Sequence, residues 1–120
     1  MTWPPLDTGT RKEPDRHARI RQRLIALIRQ RRREASFSFQ RPADLRFAEV
    51  MHPESGFPVG EVGAWHLIVD LLESGVPLQQ IELKQPPGAT AWVMRTTLRG
   101  PLYVKMEIVR DTVYLRSFHP

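Results

Sequence analysis

Residues 101–120 read PLYVKMEIVRDTVYLRSFHP, and the fold depends on how this stretch pairs with itself. Apolar and polar residues alternate from Leu102 to Val109 and again from Thr112 to His119. Arg110-Asp111 separates the two runs. Two alternating runs joined by a short polar link are the sequence form of a β-hairpin. If Arg110-Asp111 is the whole loop, Leu102, Val104, Met106 and Ile108 share one face with Val113 and Leu115. Tyr103, Lys105 and Glu107 then share the other face with Tyr114, Arg116 and Phe118. A loop of odd length brings Ser117 and His119 over to Tyr103 and Lys105 instead, because a one-residue slip turns every side chain to the opposite face. The Asp-Gly pair that would fix the turn is absent, so both registers stay open.

Upstream of the hairpin, Arg99-Gly100-Pro101 turns the chain. Ala91–Leu98, AWVMRTTL, forms the preceding strand, and Gln85-Pro86-Pro87-Gly88 breaks it from another at Leu78–Leu83, with Ile81 and Leu83 inward. Glu61–Glu73 is apolar round most of a helical circumference, through Val62, Trp65, Leu67, Ile68, Val69, Leu71 and Leu72. That marks a core helix, and Gly75 suits its C-terminal cap. His66 within it is expected at the core edge, hydrogen-bonded to a neighbour. Residues 40–60 hold several prolines and glycines, with Leu45, Phe47, Val50 and Met51 forming a short helical turn among loops. Ser36–Phe39 alternates as a short strand would. A first helix is expected from Pro14 to Ala35, with Ile20, Leu24, Leu27 and Ile28 at helical spacing and Ile25 at the edge of that stripe. Residues 1–13 are irregular, because Pro4-Pro5 blocks a helix and Asp7-Thr8-Gly9 marks a turn.

Helices first and strands after them define the α+β class. The expected architecture is two main helices packed on a C-terminal antiparallel sheet of three or four strands, in one domain over residues 14–120. A chain of 120 residues supports one core of this kind.

The formal charge is +5, and ten of the eighteen lysines and arginines lie between Arg11 and Arg33. The rest of the chain is slightly acidic. Arg16, Arg19, Arg23, Arg29, Arg32 and Arg33 therefore form a basic surface around the first helix. Such a surface is either a solvated face or a contact for nucleic acid or an acidic partner. The chain has no cysteine, and its four histidines show no metal-ligand spacing. No metal or other cofactor is expected. No apolar run is long enough to span a membrane, and no signal-peptide pattern opens the sequence, so a cytoplasmic protein is expected.

Phosphate-loop, dinucleotide and nucleophile-elbow motifs are absent. Tyr, Lys, Arg and His collect in the hairpin instead. Cleavage of RNA by its own 2′-hydroxyl uses such a set: a base, a proton donor for the leaving oxygen, and cations for the extra charge. In that reading His119 is the donor, Tyr103 or Lys105 the base, and Lys84, Arg95 and Arg116 hold phosphate. The plain alternative is that these are ordinary solvated strand residues.

Leu102-Tyr103-Val104-Lys105, a short turn, and a strand ending Ser117-Phe118-His119 resemble the C-terminus of the MqsR family. Its members are RelE-like, mRNA-cleaving toxins of bacterial toxin–antitoxin pairs. The resemblance covers about the last fifty residues, some twenty of them closely. It implies that Tyr103 stands for the family's catalytic tyrosine, His119 for its C-terminal basic residue and Lys84 for its upstream lysine. Trp92 and Arg95 occupy the strand where the family has a glutamine. The function expected on this basis is a metal-independent endoribonuclease acting on RNA, including ribosome-bound mRNA, with an acidic antitoxin as partner. The alternative is a non-enzymatic module whose basic helix docks on nucleic acid or a larger assembly.

Overall fold

In a computed structural model the described residues are 15–35, 44–84 and 88–120. Helix α1 (Ala18–Arg29) is followed by strand β1 (Arg33–Ala35), a 3₁₀ turn (Phe47–Glu49) and helix α2 (Gly60–Glu73). Four strands complete the chain: β2 (Gln79–Glu82), β3 (Thr90–Thr97), β4 (Pro101–Val109) and β5 (Thr112–His119). They form one five-stranded sheet in the order β1-β5-β4-β3-β2. The α+β class expected from the sequence is the class observed. β2 to β5 form an antiparallel meander, whereas β1 runs parallel to β5, so the sheet is mixed and one strand larger than expected.

Both helices pack on one face of the sheet. Leu24 and Ile28 of α1, and Trp65, Ile68 and Leu72 of α2, meet Met94, Val104, Met106, Leu115 and Phe118 in a single core. Trp65 is 2% exposed and Leu72 fully buried, in keeping with the apolar girth of α2. Gly75 caps α2 as expected: at φ 88° it lets its own N–H reach the Leu72 carbonyl and that of Val76 reach the Leu71 carbonyl. The buried Arg21 side chain ties the helices together, donating from Nη1 to the Leu72 carbonyl (2.9 Å) and from Nε to Asp15 (2.7 Å). A carbonyl in the last turn of a helix lacks a full set of intrahelical partners, and this guanidinium supplies one.

Four local expectations are corrected. α1 ends at Arg29 rather than Ala35. Arg31 takes a left-handed conformation (φ 62°), its N–H bonds Ile28 and the N–H of Arg32 bonds Leu27, closing the helix as Gly75 closes α2. Arg32 and Arg33 therefore lie beyond the helix, and Arg33–Ala35 forms β1. Leu83, just past the end of β2, is buried (7% exposed) as expected, whereas Ile81 is only half-buried. Ile81 lies across from Ala91, on the side of the sheet opposite Trp92 and Met94. His66 is exposed on α2 rather than bonded at the core edge. The irregular segment expected at residues 1–13, and the strand expected at Ser36–Phe39, lie outside the described residues.

The loop after residue 43 returns to β5. Leu45 bridges Phe118 in parallel, and the Arg46 N–H donates to the Phe118 carbonyl at 2.8 Å. Among the described residues, no helix is long and apolar enough to cross a membrane.

Candidate functional site at the hairpin bulge

The site forms where both hairpin registers left open by the sequence are used, one at each end. At the turn, Arg110 and Asp111 both have positive φ (50° and 63°), the geometry of a two-residue turn matched to strand twist. Val109 faces Thr112, and the pairing runs in that register to Met106 opposite Leu115. Between Lys105 and Met106 the register shifts. Arg116 is the extra residue of a β-bulge, and beyond it Lys105 faces Ser117, Val104 faces Phe118 and Tyr103 faces His119. Phe118, expected to share the face of Tyr103 under a two-residue loop, is instead fully buried in the core. Its ring lies 5.5 Å from that of Phe47.

On the face away from the helices the bulge gathers a cluster. The rings of Tyr103 and His119 stack at 5.2 Å with 22° between their planes. The Arg95 guanidinium, on neighbouring β3, lies 5.1 Å from the centre of the Tyr103 ring and donates to Gln79 Oε1 (2.7 Å). Lys105 stands between Val93 and Ser117, half-buried and with no carboxylate partner among the described residues. His119 Nδ1–H donates to the Pro120 carbonyl (2.8 Å). That contact occupies one ring nitrogen and leaves Nε2 to exchange a proton.

Tyr103, Lys105 and His119 are therefore brought together, and Arg95 joins them. The other two residues expected at the site are placed differently. Arg116 is held by Glu107, Nη1 to Oε1 at 2.8 Å. Lys84 is exposed just past the end of β2. Glu82 pairs with Thr90 and Tyr103 with Arg95, which puts Lys84 two strands away and about 17 Å or more along β3, at the other end of the sheet. Glu107, only 7% exposed, carries no signal in the sequence that marks it for the site. An acidic residue on a polar strand face gives no sign of burial until the bulge is known.

The basic surface divides in the same way. Arg23 pairs with Asp111 and Arg29 with Glu73, both in exposed bridges. Arg33 lies 5.8 Å from the Trp65 ring centre and donates to the Ile28 carbonyl. Arg19 and Arg32 are exposed, with no carboxylate partner among the described residues. Asp15 receives the Arg21 side chain and the His17 N–H, which together hold its carboxyl below the usual carboxylate range, Arg21 contributing most. No family model, curated protein or solved structure matches the chain.

Proposed function

We propose that the protein is a metal-independent endoribonuclease that binds and cuts RNA on the sheet face away from the helices, at the β4–β5 bulge. The observation that carries this reading is the convergence of His119, Tyr103, Lys105 and Arg95 across three adjacent strands. In the proposed reaction the ribose 2′-oxygen attacks the adjacent phosphorus while its proton passes to the Tyr103 phenolate, or to Lys105 acting as the neutral amine. The P–O5′ bond breaks, and cationic His119 gives its Nε2 proton to the leaving oxygen. The products are a 2′,3′-cyclic phosphate and a free 5′-hydroxyl. Lys105 and Arg95 lie where they offset the charge of the phosphorane. The resemblance of the hairpin to MqsR-type toxins supports the same chemistry, RNA that includes ribosome-bound mRNA as substrate, and an acidic antitoxin as partner.

The test is RNA cleavage by purified protein, with and without ribosomes. His119→Ala and Tyr103→Phe are each expected to lower the rate by about 10²-fold or more with the fold retained. Chelators are expected to leave it unchanged. Uncut RNA under both conditions, with both variants indistinguishable from wild type in cells, sinks the reading.

A non-enzymatic docking module is the second reading, favoured by Arg19, which has no carboxylate partner among the described residues, and by its surroundings. Arg19 borders a hollow of about 440 Å³ together with Arg16, His17, Ile20 and Trp92. In this reading reversal of Arg19, Arg23 and Arg29 weakens binding to RNA or an acidic protein, and added salt does the same. Growth arrest on expression, relieved by a neighbouring gene product, separates a toxin from such a module.

A further inference from the structure

Beside the bulge that builds the site lies a largely buried ion pair with no part in the proposed chemistry. Glu107 and Arg116 meet at 2.8 Å, with side chains only 9% and 14% exposed. They lie on the sheet face that no described helix covers, where charges ordinarily reach water. Withdrawing two charges from water is costly, and a well-packed apolar pair often stabilises a protein as well or better. Stability alone is therefore a weak account of this pair.

Its position suggests another. Glu107 lies on the turn side of the register shift, opposite Tyr114. Arg116 is the shifted residue itself. Their bridge ties the last stretch of turn-end register to the residue that departs from it. Phe118 favours the shifted register through burial, but it acts on the core face. The Glu107–Arg116 bridge spans the bulge on the face where His119 and Tyr103 stack.

We infer that Glu107 and Arg116 are positioning residues: their bridge fixes the bulge, and through it the placement of His119 over Tyr103. Arg116 then does not hold phosphate, in contrast to the role expected from the sequence. The inference deepens the ribonuclease reading and rests on it for its catalytic consequence. Its structural half stands independently, because the register is observable without any substrate.

The experiment pairs two readouts on full-length protein. NMR reports the cross-strand Tyr103–His119 contact and the ring-current shift of the His119 ring, and a cleavage assay reports kcat and KM. Glu107→Ala and Arg116→Met are expected to weaken the Tyr103–His119 contact and lower kcat at least tenfold, with KM changed less than threefold. Glu107→Gln keeps an acceptor for Arg116 and tests the same point in a chain that retains the side-chain volume; an intermediate loss is expected. The swap Glu107→Arg with Arg116→Glu is expected to restore much of both signals. Wild-type ring contacts in Glu107→Ala and in Glu107→Gln overturn the inference. So does a loss that appears in KM alone, which assigns Arg116 to substrate binding. If wild type cuts no RNA, the ribonuclease reading fails, while the NMR arm still decides whether the pair sets the register.

Discussion

The two ends of the β4–β5 hairpin obey different rules. At the turn end, backbone conformation sets the register: two residues with positive φ close the loop, and pairing follows residue by residue to Met106 and Leu115. At the far end, side-chain burial sets it. Phe118 goes to the core, Leu45 and Arg46 bond alongside it, and the strand takes up one extra residue to allow this. On the face away from the helices the first end carries Glu107 opposite Tyr114, and the second carries the stacked Tyr103–His119 pair. A local turn is enough to make a hairpin, whereas placing two particular rings on one face required the core to overrule the turn.

Phe118→Ala attacks this difference most directly, because it removes the side chain whose burial sets the far-end register. The expected loss is about 3–5 kcal/mol, with the Tyr103–His119 contact weakened. Denaturant unfolding measures the first and NMR the second. A Phe118→Ala variant as stable as wild type would mean that the core does not enforce the bulge.

At the turn end the expected effect is smaller and of opposite sign. Arg110 occupies a left-handed conformation that costs a side-chain-bearing residue about 1–2 kcal/mol, partly offset in glycine by its greater freedom when unfolded. Arg110→Gly should stabilise the fold by up to about 1 kcal/mol, with the Tyr103–His119 contact unchanged. A change in that contact would show that the two ends are coupled.

Asp15 gives the smallest effect and belongs to neither end, so it serves as the control. Its carboxyl pKa is lowered in the fold, mainly by Arg21, so its contribution is present above the unfolded value and lost as pH falls through the lowered one. Thermal melts of Asp15→Asn should fall slightly below wild type at neutral pH. The gap should narrow below about pH 4 and close once the carboxyl is protonated. The His119 ring shift should not respond to the substitution.

The hairpin's existence was legible in its alternation, and α2 in its apolar girth and Gly75. What stayed hidden has a common cause. Arg116 marks the bulge and Arg31 ends α1, both without a glycine to announce the change of backbone. Arg33-Glu34-Ala35 has no strand pattern at all. It becomes β1 because the free edge of β5 offers it partners, with Val113 N–H bonding the Arg32 carbonyl at 2.8 Å. Within the site, Tyr103, Lys105 and His119 were visible as chemical types. Their meeting was not, since it depends on the burial of Phe118, seven residues beyond the turn. Lys84 was read as a phosphate holder for its charge and as the upstream lysine by resemblance, and strand order carries it to the far end of the sheet.

The pairing of β1 with β5 also bears on the order of folding. Arg33 meets Val113, about eighty residues later in the chain, whereas β3, β4 and β5 meet across tight turns. Closing so long a loop carries an entropic cost that local pairing avoids. The meander should therefore assemble first, and β1 should dock in a late step. During synthesis α1 and β1 leave the ribosome well before their partner strand exists. Until β5 arrives, the apolar stripe of α1 at Leu24, Leu27 and Ile28 lacks much of the surface that buries it, which makes this basic segment the stretch most open to chaperones on the nascent chain.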